Sequence, residues 1–438
     1  MTVVNLNDRG SGRETANFRP GPMAALDIGS SKICCMVGES LSARKATNDL
    51  RTRLRIDGFG YTASRGIHAG AVSNVLEAER AIRLAVDAAE KMAGRTIEQV
   101  YVSATGGRPV SFCQSGCVQT ATGAVSPRDI DMAVTLALKQ TKIGSRSILH
   151  LAPVGYKLDG TRSVDPPLGL HGKELVVELG VVTVERAFLH NMTEAVERAH
   201  LQVAGFVMSP YAAAHAVLVN DEMKLGTVLV EFGSALTSVG FFNGGHLVAA
   251  DTISLGGEHV TNDIALGLNT NLAHAERLKT LHGNVLTASH DEQELLAVPI
   301  LGETSSTVQH VHKGTLTAII RPRVEEILEH VRDLLASGQL AGTRNARLVF
   351  AGGGSSLPGL RELAAGILGR HVRIAEVPAL DGLSDAARQS RFSVATGLMC
   401  YALSPDPHYD LPLEAAANIE RQHMGYMRRV GRWLADSL

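Results

Sequence analysis

Asp27 stands near the end of an apolar run in "ALDIGSSKICCMVGE" (Ala25 to Glu39), just ahead of the turn Gly29-Ser30-Ser31. Leu26 and Ile28 alternate with polar neighbours, and Ile33 to Val37 is a second apolar run, the pattern of a β-hairpin. A carboxylate in such a strand is costly to bury without a partner or a metal-bound water. By itself the stretch reads either as an ordinary hairpin or as a cradle of backbone amides for phosphates. A similar turn follows a strand in "LVEFGSALTSVGFF", and a third in "LVFAGGGSSLPGL". Three such turns in one chain fit phosphate chemistry. Two facing hairpins would grip the phosphates from opposite lobes, nearby carboxylates would hold hydrated Mg²⁺, and the third loop would lie against a nucleoside.

The elements needed to position these turns are legible. Strands at 25–29, 32–38 and Ile56 to Tyr61 precede a helix in "NVLEAERAIRLAVDAAEKMAG". Its apolar face comprises Val75, Ala78, Ile82, Ala85, Val86, Ala89 and Met92, with Asn74 as N-cap and Gly94 as terminator. From 97 to about 180, short strands surround one helix capped by Ser126-Pro127, a small α+β unit. A helix at 185–200, a strand "AGFVMS" and a helix from Pro210 follow. "LGTVLVEFGSALTSVGFFNGGHLVAADTISLGG" then repeats the organisation of residues 24–61, which predicts two lobes with a cleft between them. The strand Leu348 to Phe350 runs into Gly352-Gly353-Gly354 and a helix expected from about Leu357, whose first amides would face an anion. Residues 403–422 read as a linker.

The chain has 438 residues, enough for two or three domains, and a formal net charge of −2, which gives it no electrostatic affinity for nucleic acid. Aromatics make up 4%, without a basic stripe among them, against a base-stacking surface. The cysteines are Cys34, Cys35, Cys113, Cys117 and Cys400; the odd count and absence of paired CxxC sets argue against both a disulfide framework and a zinc site. The first twenty residues are polar and read as a disordered leader rather than a signal peptide. No apolar run is long enough to span a bilayer.

The three turns together resemble the actin/Hsp70/sugar-kinase superfamily, with "ALDIGSSK" and "LVEFGSALTSVGFF" as its two phosphate motifs and "LVFAGGGSSLPGL" as its adenosine motif. Within it the chain is similar over nearly its whole length to the FtsA family of bacterial cell-division proteins. "ALDIGSSKICCMVGE", "GYTASRGIHAGAVSNV", "SPYAAAHAVLVNDEMKLGTVLVE" and, most specifically, "GGEHVTNDIALGLNTNLAHAERLKTLHG" carry that resemblance. It implies an α/β, bilobed, actin-like (ribonuclease H-like) duplicated fold. Lobe 1 would span 22–105 with 175–200 and 386–402, lobe 2 would span 201–262 with 344–385, and an inserted α+β subdomain would occupy 106–174. An upper subdomain at 263–343 would take the partner. It further implies an ATP site: Asp27, Gly29, Ser30, Ser31 and Lys32 at the phosphates, Gly233 and Ser234 on the facing turn, and Gly256, Gly257, Glu258 and Asn262 across the cleft. Glu276 and Lys279 would lie near ribose and adenine, and Gly352, Gly353 and Gly354 against the adenosine. Mg²⁺ would be held through water near Asp27 and Glu231, the weak catalytic pair. Taken without the resemblance, Glu276 and Lys279 read as a solvated i,i+3 pair.

The second phosphate motif departs from the family's Asp-Ile-Gly-Gly-Gly-Thr: here it reads Glu231-Phe232-Gly233-Ser234-Ala235-Leu236. The carboxylate moves out by a methylene, two glycines gain side chains and a hydroxyl is lost. The expectation is ATP binding with very slow hydrolysis.

The chain ends "HMGYMRRVGRWLADSL". As a helix over 423–438 this places Tyr426, Met427, Val430, Trp433, Leu434 and Leu438 on one face, flanked by Arg428, Arg429 and Arg432, the pattern of an interfacial helix on an anionic membrane. One short helix binds weakly, so attachment would need a polymer. The resemblance implies a polymer on the cytoplasmic face of the cell membrane at the division site. It would bind the C-terminal tail of the tubulin-like protein FtsZ, with Arg321 and Arg323 as candidate contacts, and recruit other division proteins. The competing readings are a small-molecule kinase, which would need a general-base Asp, and a soluble pilus-type scaffold.

Overall fold

The computed structural model describes residues 22–41, 50–120, 123–289, 291–303, 307–343, 345–403 and 405. The leader (1–21) and nearly all of the linker and terminal helix expected over 403–438 lie outside them. Leu403 is still helical.

Lobe 1 begins with β1 (Pro22–Ile28), β2 (Lys32–Ser40), β3 (Leu54–Ala63) and the short pair β4 (Ile67–His68) and β5 (Ala71–Val72), followed by α1 (Val75–Ala93) and β6 (Gln99–Ala104). β1 is buried from Met23 to Ile28, as suits a central strand covered on both faces. The Asn74 side chain accepts from the Leu76 and Glu77 amides, and Gly94 ends α1 in the left-handed conformation. Ala78, Ile82, Ala85, Val86 and Ala89 are buried as expected, joined by Ala81, while Val75 in the first turn is only half-buried. Met92 is not buried: at the last turn Ala93 meets Gly58 of β3 instead, leaving Met92 exposed. A Cβ at Gly58 or Gly60 would overlap the Ala89 or Ala85 carbonyl, so these glycines let α1 lie directly on β3.

The insert consists of β7 (Val110–Gln119), α2 (Pro127–Gln140), β8 (Arg146–Leu158), β9 (Thr161–Ser163) and β10 (Glu174–Glu185), in the antiparallel order β7-β10-β8-β9. Ser126 and Asp129 form a reciprocal cap on α2. The boundary expected at 174 falls too early. β10 pairs along its length with β7 and β8, so the insert runs to Glu185 and 175–185 do not belong to lobe 1. The chain re-enters lobe 1 through α3 (Arg186–Arg198) and β11 (Gln202–Met208), completing the sheet β11-β6-β1-β2-β3, so the start of lobe 2 expected at 201 also falls too early, and the chain leaves lobe 1 along α4 (Ser209–Val217).

Lobe 2 follows with α5 (Asn220–Leu225), β12 (Thr227–Phe232), β13 (Thr237–Asn243) and β14 (His246–Ile253). Its upper part holds α6 (Gly257–Gly267), α7 (Leu272–His282), β15 (Leu295–Pro299), β16 (Val308–His312) and α8 (Lys313–Leu335). β17 (Arg347–Ala351), α9 (Leu360–Leu368) and β18 (Val372–Ile374) finish a sheet in the order β14-β13-β12-β17-β18. Both sheets therefore have three antiparallel strands, then two parallel ones beside the first. This shared connectivity is the duplication seen in the sequence.

α10 (Ser393–Leu403) returns to lobe 1, packing on β1, β2 and α4. The largest core joins lobe 1, α4 and α10 to one set of lobe-2 sheet residues, among them Leu229, Phe242, Ala250 and Val349, while the rest of lobe 2 and the insert each have a smaller core of their own.

The α4–α10 crossing depends on Gly397, where a Cβ would overlap the Ala212 carbonyl. Gly397→Ala is expected to destabilise the protein by about 1–3 kcal/mol. Gly366→Ala, on α9 with open space around the site, should stabilise by about 1 kcal/mol. Thermal unfolding of both variants checks this; equal midpoints would overturn it.

Candidate functional site

The two phosphate-motif turns are superposable in bonding. In lobe 1 the Gly29 amide donates to the Lys32 carbonyl at 3.0 Å, and in lobe 2 the Gly233 amide donates to the Leu236 carbonyl at 3.0 Å. Ser30-Ser31 and Ser234-Ala235 occupy the same places, and none of the four has a positive φ. Neither turn therefore demands glycine there, which accounts for the side chains in the second motif.

Equivalence of the hairpins puts Asp27 and Glu231 at equivalent positions on β1 and β12, opposite Cys34 and Ser238. Both carboxylates are buried. Asp27 accepts from the Ser103 hydroxyl at 2.9 Å, and Ser103 in turn accepts from the Ile28 amide at 2.9 Å. Lys32 Nζ lies 3.2 Å from the other Asp27 oxygen. The Glu231 carboxyl is pushed up to about 7, first by burial and then by the Asp27 charge from the other lobe, against an opposing pull from Lys32. A Cβ at Gly352 (φ 85°) would come within 2.9 Å of Glu231 Oε1 and 2.6 Å of the Phe232 carbonyl. Glycine at that position is what admits the longer glutamate arm. No group of three or more His, Cys, Asp or Glu side chains that could hold a metal ion occurs among the described residues. Two hard carboxylates facing across a cleft suit an Mg²⁺ that keeps most of its waters, not a caged ion.

Across the cleft, the start of α6 is fastened to the second turn. The Gly257 amide donates to the Gly233 carbonyl (3.0 Å), the Glu258 amide to the Ser234 carbonyl (2.9 Å), and the Ser234 hydroxyl to Glu258 Oε2 (3.3 Å). A Cβ at Gly256 would overlap Ser234 backbone. Lys279 Nζ donates to the Gly257 carbonyl at 2.8 Å and to Thr261 Oγ1 at 2.7 Å, and pairs with Glu276 at 2.6 Å. Glu276 and Lys279 are thus tied to the cleft-side end of α6, not merely to each other. Asn262 is exposed on α6.

The glycine turn at Gly352-Gly353-Gly354 abuts the Phe232 ring, which a Cβ at Gly354 would approach to 2.5 Å. The helix expected from about Leu357 does not start there. A 3-10 turn over Gly353–Ser356 intervenes, and α9 begins at Leu360 after Gly359 in the left-handed conformation. The first amides of α9 therefore belong to a different turn from the triple glycine. Arg321 pairs with Glu325 (2.7 Å), while Arg323 grips Asp263 of α6 at 2.6 and 3.1 Å and also pairs with Glu326. Both candidate contact arginines are therefore paired with carboxylates of their own lobe.

Ser103 and Thr261 were missed by sequence reasoning. A hydroxyl inside the apolar strand "QVYVSA" was the available signal for Ser103. For Thr261 no signal was available, because its side-chain partners Glu276 and Lys279 lie 15 and 18 residues away.

Residues 228–397 match the family model for cell division protein FtsA, and 106–183 match that for the SHS2 domain inserted in FtsA. The FtsA of Agrobacterium fabrum is 38% identical over 95% of this chain and 94% of its own length; that of Neisseria meningitidis is 30% identical over 95% and 98%. The chain belongs to the FtsA family. The Escherichia coli FtsA is 28% identical over 94% of this chain and 97% of its own. Among solved structures, the PilM–PilN type IV pilus biogenesis complex aligns with TM-score 0.61 at 17% identity, over 87% of this chain and 99% of that one. MreB5 of Spiroplasma citri bound to ADP aligns at 0.50 and 14%, over 92% and 99%. These likenesses establish the actin-like fold of this FtsA-family chain.

The raised Glu231 carboxyl sets a pH dependence. Its folded-state value lies above the ordinary one, so the folded protein holds that proton more tightly than the unfolded chain. Stability is therefore greatest below the ordinary carboxyl range and declines as pH rises through about 7. Glu231→Gln removes this decline and should gain ~3 kcal/mol over the parent at pH 8 but nothing at pH 4.5, without nucleotide or Mg²⁺. Parallel unfolding curves at the two pH values would count against it.

Proposed function

We propose that this FtsA-family protein binds Mg-ATP between its lobes, polymerises on the cytoplasmic face of the cell membrane at the division site, and tethers FtsZ there. The observation that carries the nucleotide part is the pair of matched hairpins that place Asp27 and Glu231 at equivalent positions, near enough for the Asp27 charge to raise the Glu231 carboxyl, with Lys32 beside Asp27. Asp27, Gly29, Ser30, Ser31 and Lys32 face the phosphates from lobe 1, Gly233 and Ser234 from lobe 2. Gly256, Gly257, Glu258, Asn262, Glu276 and Lys279 close the cleft above, and Gly352, Gly353 and Gly354 take the adenosine. An actin-like neighbour solved with ADP supports the ligand class.

Bound Mg²⁺ would neutralise phosphate charge beside Asp27 and Glu231. The lobe-2 turn ends in Leu236, whose Cδ1 would lie 3.1 Å from a Cβ at Gly70 of lobe 1. An apolar side chain cannot orient a water, and the proposed hydrolysis is correspondingly slow. Turnover far below the enzyme median of about 10 s⁻¹ is expected, and a rate near that median would refute it.

The membrane part rests on the sequence of residues 423–438, with Tyr426, Met427, Val430, Trp433, Leu434 and Leu438 for the acyl boundary and Arg428, Arg429 and Arg432 for anionic head groups. No helix among the described residues is long and apolar enough to cross a membrane. The upper part of lobe 2 is the proposed seat of the FtsZ tail; there Arg321 and Arg323 would have to exchange their internal carboxylates for the partner's. Co-flotation with anionic liposomes tests the tether: the full chain should float and a chain ending at Arg421 should not, with Mg-ATP strengthening attachment through assembly. If both stay in solution, the tether reading falls.

A further inference from the structure

Arg391 lies on the segment that carries the chain from β18 of lobe 2 back to α10 of lobe 1. Its Cβ is 3.4 Å from where a Cβ would stand at Gly353, so the residue is rooted against the triple-glycine turn. Its guanidinium carbon lies 4.9 Å from the centre of the Phe392 ring and 5.9 Å from that of Tyr61 on β3. Phe392 is buried, braced edge-on by Phe59 (5.1 Å) and Tyr61 (5.5 Å), whereas Tyr61 is 52% exposed. Several arginines of the two lobes are paired, Arg55 with Glu39 and Asp57, Arg323 with Asp263, Arg373 with Glu222. Among the described residues no carboxylate or carbonyl is bonded to Arg391, although it is exposed.

An arginine lying over aromatic rings, with no carboxylate or carbonyl bonded to it among the described residues, is prepared for a planar or anionic ligand. Lys32 Nζ, 5.3 Å from the same Phe392 ring, already serves the phosphate hairpin. Arg391 instead starts from the turn at the nucleoside end. We propose that Arg391 is a specificity-determining contact of the cleft, its guanidinium lying against the base of a purine nucleotide whose sugar rests on Gly352–Gly354. This rests on the nucleotide reading above and adds a base contact to it. The contact also spans the cleft, since its root is on lobe 2 and its head on aromatic rings of lobe 1.

The test is equilibrium binding of AMP, Mg-ADP and Mg-ATP to the full chain, comparing the parent with Arg391→Ala and Arg391→Lys, each checked for an unchanged melting curve. A base contact predicts that Arg391→Ala weakens all three nucleotides by a similar factor, about tenfold. Lysine should recover little of it, because it keeps the charge but lacks the plane. A loss that grows with each added phosphate and is restored by lysine overturns the base assignment in favour of a phosphate contact. Unchanged affinities for all three overturn any ligand role. If the folded parent itself binds none of them, the nucleotide reading fails and this proposal with it, an outcome distinct from the parent binding and the variants matching it.

Discussion

Two buried carboxylates that face each other across a cleft are unfavourable unless something lies between them. Asp27 and Glu231 are held in that relation by the central strands of two sheets, both packed into buried cores, so neither can retreat without disturbing a whole lobe. Lys32 and Ser103 satisfy Asp27, and Glu231 meets part of the cost by holding its proton to about 7. The remaining demand is for positive charge with small, hard coordination preferences. A hydrated Mg²⁺ with its nucleotide meets that demand, and this is why the proposed ligand follows from the fold's electrostatics as well as from its turns.

Three of the connections between the lobes involve whole elements. α4 and the returning segment into α10 are covalent links, crossing where Gly397 allows backbone contact. The insert supplies the third. It is covalently part of lobe 1, yet the Ser111 hydroxyl on β7 donates to the Ala250 carbonyl at 2.7 Å and accepts from the Ala250 amide at 2.8 Å, docking the insert on the edge strand of the lobe-2 sheet. Gly180 on β10 lets the same face approach the Val248 carbonyl, 3.3 Å from where a Cβ would be. β14, which receives these bonds, leads directly to Gly256 and Gly257 at the cleft. The subdomain thus touches the strand that ends at the proposed nucleotide, by hydrogen bonds and not by sequence proximity.

Much of this was legible beforehand, for identifiable reasons. Local chemistry marked the ends of α1 and α2, because Asn74, Gly94 and the Ser126–Asp129 cap act within a turn of themselves. The duplication was legible because both halves repeat strand, glycine turn and strand. What escaped depends on contacts far apart in sequence. The insert's end could not be placed at Glu185, since β10 reads as a strand whichever sheet it joins. Arg323 looked like a free cation because Asp263, which neutralises it, is 60 residues away. Arg391 carried no signal at all: the rings that hold it come from β3 and from its own neighbour, and only folding brings Tyr61 to it.

The equivalence of the two hairpins makes their one difference informative. At the turn's end lobe 1 has Lys32 and lobe 2 has Leu236, positions that bond identically to Gly29 and Gly233. Lys32 keeps its ammonium on Asp27, inside the cleft. Leu236 is buried and points its methyl at Gly70, whose amide is in turn bonded to the Ser30 hydroxyl of the first turn at 2.9 Å. One copy of the duplicated hairpin has a charged end and the other an apolar end that presses on its counterpart. On the proposed reading, a side chain that joins the lobes at this position cannot also hold a water for in-line attack, so closure and hydrolysis would compete for the same residue. In this chain the sequence at Leu236 favours closure, which suits a protein whose proposed work is to stay assembled and not to turn nucleotide over.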